Sequence, residues 1–244
     1  MKAVILSAGQ GSRLLPLTAE RPKCLLPLGP KSLIEWQIDI LSRSGVDEIV
    51  VVVGFRATLV EAVLAKLVRP GLRIRTLFNP FYSVADNLGS CWLARQEMNG
   101  EFLLLNGDTL FETAVLQRLL HSPPAPITVT IDRKASYDAD DMKVHLDATR
   151  LIEIGKTLPP ARTDGESIGL LLFRAGGPEL FVDAVDRALQ VSEGLTSFYL
   201  KVIDRLAKSH PVETATIEGL AWGEVDYPVD LQRAERLVAD GRLG

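Results

Sequence analysis

The fold is decided by residues 2–29, which read KAVILSAGQGSRLLPLTAERPKCLLPLG. A short apolar run at residues 2–6 ends in a turn of small residues that contains Gly9 and Gly11. Small residues in such a turn allow backbone N–H groups to approach phosphate oxygens closely. Arg13 and Lys23 add fixed positive charge, which suits a triphosphate with its roughly four negative charges. We therefore predict a first β-strand followed directly by a phosphate-binding loop.

Two commoner phosphate-binding motifs do not fit this chain. A dinucleotide-binding fingerprint needs a small residue three positions after Gly11, and Leu14 stands there. A P-loop needs a glycine five positions before the Gly-Lys-Thr that begins at Gly155, and that position is Arg150. Both motifs are therefore excluded.

Strand and helix patterns alternate through the first half of the chain. The spacing of apolar residues predicts helices over residues 33–44, 57–68 and 87–98, and strands over residues 48–53, 72–78 and 102–105. After about residue 125, hairpin patterns predict strands over residues 127–131, 142–146, 151–154 and 168–173, followed by helices over residues 178–190, 198–209 and 228–240. Alternation of this kind predicts an α/β fold with a mixed, mostly parallel sheet flanked by helices. We expect residues 1–244 to form a single domain.

Composition narrows the class of protein. The chain has 244 residues, 47% of them hydrophobic and 24% charged, with a net charge of -4. A negative net charge gives no reason to expect a nucleic-acid partner. No apolar run reaches ~18 residues, so no membrane span is expected, and the apolar start is too short for a secretory signal. Cys24 and Cys91 lack metal-type spacing and favour a reducing, cytoplasmic setting.

Residues 6–29, LSAGQGSRLLPLTAERPKCLLPLG, resemble the signature of the nucleotidyltransferase superfamily that includes the sugar-1-phosphate nucleotidylyltransferases. The resemblance implies a Rossmann-like fold of the nucleotide-diphospho-sugar transferase type, a Mg²⁺ ion and attack on an NTP. It also implies that Arg13 and Lys23 are catalytic, with Lys23 on the α-phosphate. The nucleotide-binding residues that it implies in this loop are Leu6, Ala8, Gly9, Gly11 and Ser12.

Two acidic residues stand at the ends of predicted strands. Asp108 follows the apolar run at residues 103–105, and Asp226 precedes the helix predicted from residue 228. Ligands bind at this edge of open α/β sheets, although Asp108 alone would equally suit a helix cap. The resemblance identifies both as Mg²⁺ ligands. Two carboxylates, phosphate oxygens and water suit this hard cation. Residues 1–125 are then the nucleotide-binding half, and residues 126–244 the acceptor-binding half with the second metal ligand.

Residues 78–82 (FNPFY) and 86–94 (DNLGSCWLA) resemble the cytidylyltransferase branch, which includes choline-phosphate, 2-aminoethylphosphonate and inositol-1-phosphate enzymes. Three polar residues in this stretch are candidates for reading the cytosine base: Asn79, Asn87 and Ser90. Asn87 would equally suit the cap of the following helix. The absence of a glutamine-rich base-reading loop also favours CTP.

The acceptor site is expected in the second half of the chain. By resemblance, Lys156 contacts the acceptor phosphate, and Glu166 and Gly169 line the acceptor pocket; an ordinary solvated lysine is the alternative for Lys156. Residues 138–141, DADD, are expected to be a solvated acidic loop rather than a site. A cationic head group would need carboxylates or aromatic faces, for which the candidates are Asp86, Glu166, Tyr82 and Trp222.

These features predict a Mg²⁺-dependent cytidylyltransferase. It would join CMP from CTP to a phosphorylated or phosphonylated small alcohol and release pyrophosphate. Phosphocholine or 2-aminoethylphosphonate is the favoured acceptor. The protein is expected to be a monomer or a homodimer. One alternative is a sugar-1-phosphate nucleotidylyltransferase that uses UTP, dTTP or GTP. Another is an inactive nucleotide-sensing homologue, which is disfavoured because it would be expected to lack at least one of four residues that are all present: Arg13, Lys23, Asp108 and Asp226.

Overall fold

The computed structural model describes residues 1–243 and has a mixed α/β architecture. The strands, in chain order, are β1 Lys2–Ser7, β2 Pro27–Leu28, β3 Lys31–Ser32, β4 Glu48–Val53, β5 Arg73–Phe78, β6 Phe102–Asn106, β7 Thr109–Phe111, β8 Ile127–Asp132, β9 Lys143–Asp147, β10 Arg150–Gly155, β11 Gly165–Phe173, β12 Val212–Thr216 and β13 Trp222–Glu224. The α-helices are α1 Leu33–Arg43, α2 Ala57–Leu64, α3 Asn87–Ala94, α4 Thr113–Leu120, α5 Gly177–Leu189, α6 Leu200–Ala207 and α7 Pro228–Ala239.

Contacts within the chain divide it into two compact units that interleave along the sequence. The first unit contains Met1–Val84, Leu105–Gln117 and the segment from Leu220 onward, and the second contains Ala85–Leu104 and Arg118–Gly219. The separate prediction of a nucleotide-binding half and an acceptor-binding half stays a prediction. Within residues 1–243, no helix is both long and apolar enough to cross a membrane.

In the first unit, β1, β4 and β5 form a parallel ladder with β4 in the middle. The valines of β4 are fully buried, as expected for a β-branched strand covered on both faces. A capping box starts α1, because Ser32 N donates to Glu35 Oε2 at 2.8 Å and the cap fixes the first turn. Apolar residues of α1 and α7 pack with the loop after β1 in one buried cluster, which includes Leu14, Leu33 and Ala234.

In the second unit, the strands follow the order β6-β11-β8-β12-β10-β9. β11 lies antiparallel to β8, β12 lies parallel to β8, and β9 and β10 form an antiparallel hairpin. The core contains a row of aromatic side chains, in which Phe102 stacks on Phe173 with ring centroids 4.5 Å apart and Phe181 follows at 4.7 Å. Such pairs contribute roughly 0.5–1.5 kcal/mol beyond their buried area.

The predicted fold class is confirmed, since a central mixed sheet is flanked by helices. Within the first unit β1, β4 and β5 pair in parallel, and within the second unit most of the strand pairs are antiparallel. β12 was missed by the sequence patterns because VETAT is short and only partly apolar. Its strand structure comes from pairing with β8, which is distant in the sequence.

Candidate active site

The loop after β1 is shaped by Gly11, whose φ of 81° lies in the left-handed region that favours glycine. Its carbonyl oxygen accepts hydrogen bonds from Leu14 N at 3.0 Å and from Thr18 Oγ1 at 2.8 Å. Gln10 Nε2 donates to the Thr18 carbonyl at 3.2 Å. A Cβ added at Gly9 would meet nothing within 4 Å. The loop is therefore fixed from within and leaves open space beside Gly9.

Lys23 lies at the centre of the candidate site. Its Nζ donates to Asp108 Oδ2 at 2.8 Å and to Asp226 Oδ1 at 2.5 Å. The two carboxylates belong to segments 85 and 203 residues away from Lys23 in the sequence, and both lie in the first unit. The fold thus brings together one cation and two carboxylates that the sequence analysis had singled out separately.

The charge of Lys23 is set by two opposing effects. Burial by itself would lower the pKa of Lys23, because it disfavours the ammonium form. The charges and hydrogen bonds of Asp108 and Asp226 outweigh burial and raise the pKa above its ordinary value. Lys23 therefore remains a cation at neutral pH.

Arg13 adds a second cation on the exposed side of the same site. Its Nη1 lies 3.4 Å from Asp226 Oδ2, and its guanidinium lies 5.4 Å from the centre of the Tyr227 ring. Nearly half of the Arg13 side chain is exposed, so it is accessible to an anionic ligand. Exposed ion pairs of this kind contribute roughly 0–1 kcal/mol to stability, so stability alone gives little reason for this arginine.

Two short strands link the loops that carry the aspartates. β7 begins directly after Asp108, β13 ends two residues before Asp226, and the two strands pair antiparallel. Val225 N also donates to the Asp108 carbonyl at 3.1 Å. At the start of α7, Asp230 Oδ2 accepts from Asp226 N at 3.3 Å and from Tyr227 N at 2.8 Å. The backbone of each aspartate therefore makes a hydrogen bond within the chain, in addition to the strand pairing beside it.

The turn before Asp108 requires a glycine for reasons of space. A Cβ at Gly107 would lie 2.1 Å from Ser7 Oγ and 2.6 Å from the Leu6 carbonyl oxygen. Gly107 N donates to that same carbonyl at 2.9 Å. Close contact with the end of β1 thus brings Asp108 next to the loop after β1. Leu6 and Ala8 take part through their backbones, since the Ala8 carbonyl accepts from Phe55 N at 2.9 Å.

The residues predicted to read the base lie in two different units. Asn79 is buried at the end of β5, and its Oδ1 accepts from Phe81 N at 2.8 Å. Asn87 is the first residue of α3, where Asp86 is the cap, and Asn87 Oδ1 accepts from Tyr199 N at 2.9 Å. Ser90 is buried within α3. These bonds engage both amide oxygens within the chain, and base reading by these residues stays a prediction.

Glu166 is buried in the second unit, where it shares a cation with Asp141. Lys134 Nζ lies 2.9 Å from Glu166 Oε1 and 2.7 Å from Asp141 Oδ2. Burial raises the pKa of Glu166 to about 7, although Lys134 opposes the rise. The expectation of a solvated loop at residues 138–141 is wrong for Asp141, whose side chain is largely buried against this lysine. No pattern in the sequence singled out Lys134.

Lys156 and Gly169 also lie in the second unit. Lys156 Nζ is 3.3 Å from Asp140 Oδ1 and lies 5.2 Å from the centre of the Phe198 ring. Gly169 has a φ of 71° at a register irregularity of β11, between Ser167 and Leu171. The positive charge of Lys156 is therefore partly balanced by the carboxylate of Asp140, rather than by solvent alone. Acceptor binding by Lys156 or Gly169 stays a prediction.

Comparison with known proteins identifies the family to which this chain belongs. The family model described as the MobA-like NTP transferase domain matches residues 3–192. This chain belongs to that family. The match covers the loop after β1, Lys23 and Asp108, and ends before Asp226. The predicted resemblance to nucleotidyltransferases, and with it the transferase class, is confirmed.

Among the relatives of this MobA-like transferase is the CMP-5'-(3-aminopropyl)phosphonate synthase of Streptomyces rubellomurinus, which is 34% identical over 96% of this chain. The chain spans 38% of the length of that protein. The choline-phosphate cytidylyltransferase of Streptococcus pneumoniae is 26% identical, with 98% of each chain covered. Among solved structures, the inositol-1-phosphate CTP transferase from T. maritima superposes with a TM-score of 0.83 at 21% identity, covering 100% of this chain and 96% of the other. That structure shows the shared fold.

Proposed function

We propose that this chain is a Mg²⁺-dependent cytidylyltransferase that joins CMP from CTP to a small phosphorylated or phosphonylated alcohol with a cationic head group. The central observation is the ammonium of Lys23, held between Asp108 and Asp226 beside the glycine loop. This arrangement supplies an anion-binding loop and a cation-binding carboxylate pair at one place. Transfer of a nucleotide from a metal-bound triphosphate needs both.

The carboxylate pair fits a Mg²⁺ ion. Asp108 Oδ1 is buried and has no hydrogen-bond partner in the described chain, and the pair already holds a cation in the form of the Lys23 ammonium. Within residues 1–243 no cluster of three or more acidic, histidine or cysteine ligands occurs, so phosphate oxygens and water would complete the coordination. When bound, the ion would neutralise charge that develops on the phosphates.

The reaction proposed for this site is a direct displacement. An oxygen of the acceptor phosphate or phosphonate forms a bond to the α-phosphorus of CTP, and the bond to the β-phosphate bridging oxygen breaks, which releases pyrophosphate. The acceptor oxygen is anionic near neutral pH, so no strong general base is needed. Lys23 would stabilise charge on the α-phosphate, while Arg13 would bind the β- and γ-phosphates.

The preference for a cationic acceptor rests on the second unit and on the names of relatives. Glu166 and Asp141 form a carboxylate pair that holds the ammonium of Lys134, which is the chemistry that a choline or amine head group requires. Two relatives are named for a choline phosphate and an aminoalkylphosphonate. Phosphocholine and 2-aminoethylphosphonate are therefore the favoured acceptors, and Lys156 the candidate for their phosphate.

A matrix of nucleotides and acceptors tests the proposal. Pyrophosphate release would be measured for CTP, UTP, GTP and dTTP against phosphocholine, 2-aminoethylphosphonate, inositol-1-phosphate and glucose-1-phosphate. We expect CTP with a cationic acceptor to give the highest kcat/KM. Preference for inositol-1-phosphate with CTP would keep the nucleotide assignment and reject the cationic acceptor. Preference for UTP, dTTP or GTP with glucose-1-phosphate would replace the proposal with a sugar-1-phosphate enzyme.

A further inference from the structure

Gln37 is a polar residue on the buried face of α1, where the other buried side chains are aliphatic. It is fully buried, and its neighbours on that face are Leu33, Ile34, Ile38 and Leu41. A glutamine in such a position costs desolvation that leucine or methionine would largely avoid, and more side-chain entropy than leucine would lose. Filling the core therefore does not explain why this position carries an amide.

The side-chain amide of Gln37 binds the turn that carries Asp108. Its Nε2 donates to the Asn106 carbonyl at 2.9 Å and to the Thr109 carbonyl at 2.7 Å. An amide nitrogen has two hydrogens, so both donors are used. The two acceptors lie two residues before Asp108 and one residue after it. Gln37 therefore bridges the chain on both sides of the aspartate.

The orientation of this amide is set by its donors. Gln37 Oε1 is buried without a hydrogen-bond partner. Rotating the amide by half a turn would place this oxygen against two carbonyl oxygens, where all three would repel. A buried acceptor left unpaired is unfavourable, and the fold tolerates it here because the two donor bonds are made. The position thus requires a side chain that donates twice.

We infer that Gln37 is a positioning residue for the cation site: it holds residues 106–109 so that the carboxylate of Asp108 stays opposite Asp226. This role rests on the proposed function, since it matters only if Asp108 binds the metal. Backbone groups also bind the turn, among them Gly107 N, which donates to the Leu6 carbonyl, and Val225 N, which donates to the Asp108 carbonyl. Without Gln37 those bonds persist, so the turn would remain in place but become less rigid.

The test replaces Gln37 by methionine, which has a similar length and no donor. Mn²⁺ binding would be followed by the electron paramagnetic resonance signal of the free ion. We expect Gln37→Met to weaken Mn²⁺ binding by about tenfold, the lower end of what losing such a supporting contact costs. Turnover would fall, and part of the loss would be recovered by raising the Mg²⁺ concentration. Circular dichroism and the cooperative unfolding transition would remain those of a folded protein.

Thr128→Val is the matched control, because Thr128 is also buried with an unpaired hydroxyl but lies in β8 of the second unit. It should leave Mn²⁺ affinity unchanged. Wild-type Mn²⁺ affinity and turnover in Gln37→Met would overturn the inference. In that case Asp108→Asn distinguishes an error in the proposed metal site from an error in the role of Gln37. If Asp108→Asn also binds Mn²⁺ normally, the proposed metal site is wrong. If Asp108→Asn binds Mn²⁺ weakly, only the role of Gln37 is wrong.

A measurement on the unmodified protein covers the case in which Gln37→Met does not fold. Hydrogen exchange of the glutamine side-chain amides, followed by nuclear magnetic resonance, should show Gln37 strongly protected. Exposed Gln190 gives the reference for an unprotected amide. Exchange of Gln37 at the rate of Gln190 would overturn the inference, because the two donor bonds would then be absent in solution.

Discussion

Lys23 occupies the position between Asp108 and Asp226 at which the proposed metal would be bound. Three charged groups from distant parts of the sequence meet there, and the chain itself supplies the cation when no ligand is bound. The three groups are therefore gathered before any ligand binds, and Lys23 would leave the position between the aspartates when a metal binds there. Replacing each charged residue should therefore show which ligand it contacts and at which stage of the reaction.

Substitution of Lys23 and substitution of Arg13 are predicted to change different kinetic parameters. Lys23→Ala should lower kcat more than it weakens CTP binding, because the proposed contact of Lys23 with the α-phosphate would strengthen in the transition state. Arg13→Ala should mainly raise the KM for CTP, since contacts with the outer phosphates exist already in the ground state. Steady-state kinetics and CTP titration of both variants make the comparison. Equal weakening of CTP binding in both, with kcat intact, would make Lys23 a binding residue only.

The two aspartates are predicted to be needed together. Asp108→Asn and Asp226→Asn should each lower turnover on the order of 10²-fold or more while the protein stays folded, because the proposed Mg²⁺ ion would lose a ligand. Asp240→Asn, an exposed acid at the end of α7, is the matched control and should retain full turnover. Near-normal turnover of Asp226→Asn at saturating Mg²⁺ would show that the second ligand is misassigned.

Glu166 is predicted to make stability depend on pH between about 4.5, its ordinary pKa, and about 7. Over this window the folded protein binds the proton more tightly than the unfolded chain. The free energy of unfolding due to this group is therefore highest below the window and falls as pH rises through it. Urea unfolding at about pH 5 and about pH 8 should show this fall in wild type and a smaller one in Glu166→Gln. An equal fall in both would contradict the assignment.

Asp141 and Lys134, the partners of Glu166, do not make stability depend on pH between about 4.5 and about 7. The pKa of Asp141 is lowered, with burial opposed by Lys134 and by backbone hydrogen bonding, so its stabilising contribution is lost only at more acidic pH. The pKa of Lys134 is raised by the two carboxylates against the effect of burial, so its contribution is lost only at alkaline pH. The comparison with Glu166→Gln therefore isolates the glutamate.

Single residues were predictable where the signal was local. Gly9, Gly11, Arg13 and Lys23 stand within one short motif, and the spacing itself indicated a phosphate loop. Gln37 and Lys134 were missed because their importance comes from partners that are distant in sequence. A signal for Gln37 was present in the sequence, since an amide interrupts the apolar face of α1, but that pattern does not reveal which carbonyls it binds.

At the scale of elements, the loop after β1 and the turn before Asp108 use glycine for different reasons. Gly9 borders open space, whereas Gly107 is pressed against the end of β1. We predict that Gly9→Ala leaves the free energy of unfolding nearly unchanged but raises the KM for CTP, because its methyl group would enter the space that a phosphate needs. Gly107→Ala should instead destabilise the fold by roughly 1–3 kcal/mol through overpacking.

Thermal unfolding and CTP kinetics of both variants test this contrast. Gly223→Ala is the control, because a Cβ there also meets nothing within 4 Å. It should change neither stability nor the KM for CTP appreciably. A wild-type KM in Gly9→Ala would show that the open space beside Gly9 is not the phosphate site.

The helices and strands themselves were largely predictable. Residues 48–53 were expected as a strand and form β4, and the helix expected at residues 228–240 forms α7, Pro228–Ala239. Here apolar periodicity and stop signals agree, so local sequence suffices. β7, β13 and β12 are short, and pairing with distant partners determines them. The positions of the two aspartates depend on that pairing, which is why resemblance rather than pattern identified Asp226.

At the scale of the whole molecule, membership of the NTP transferase family indicates a triphosphate ligand, and the net charge limits how that ligand can be bound. The net charge is -4, so a triphosphate must be held by a few placed cations rather than by a general positive field. The first unit provides those cations, and the second provides the carboxylate pair of Glu166 and Asp141. We therefore propose that the phosphates of CTP bind to the first unit and the acceptor's cationic group to the second.

The most direct test is a ³¹P nuclear magnetic resonance experiment with the purified protein, CTP, Mg²⁺ and either phosphocholine or 2-aminoethylphosphonate. We predict loss of the three CTP resonances, one pyrophosphate formed per CTP consumed, and a coupled pair of signals from the new CMP-linked product. Omission of the acceptor should leave CTP intact. CTP that remains unchanged with both acceptors, or is hydrolysed to CDP and phosphate, would contradict cytidylyl transfer to these acceptors by this chain.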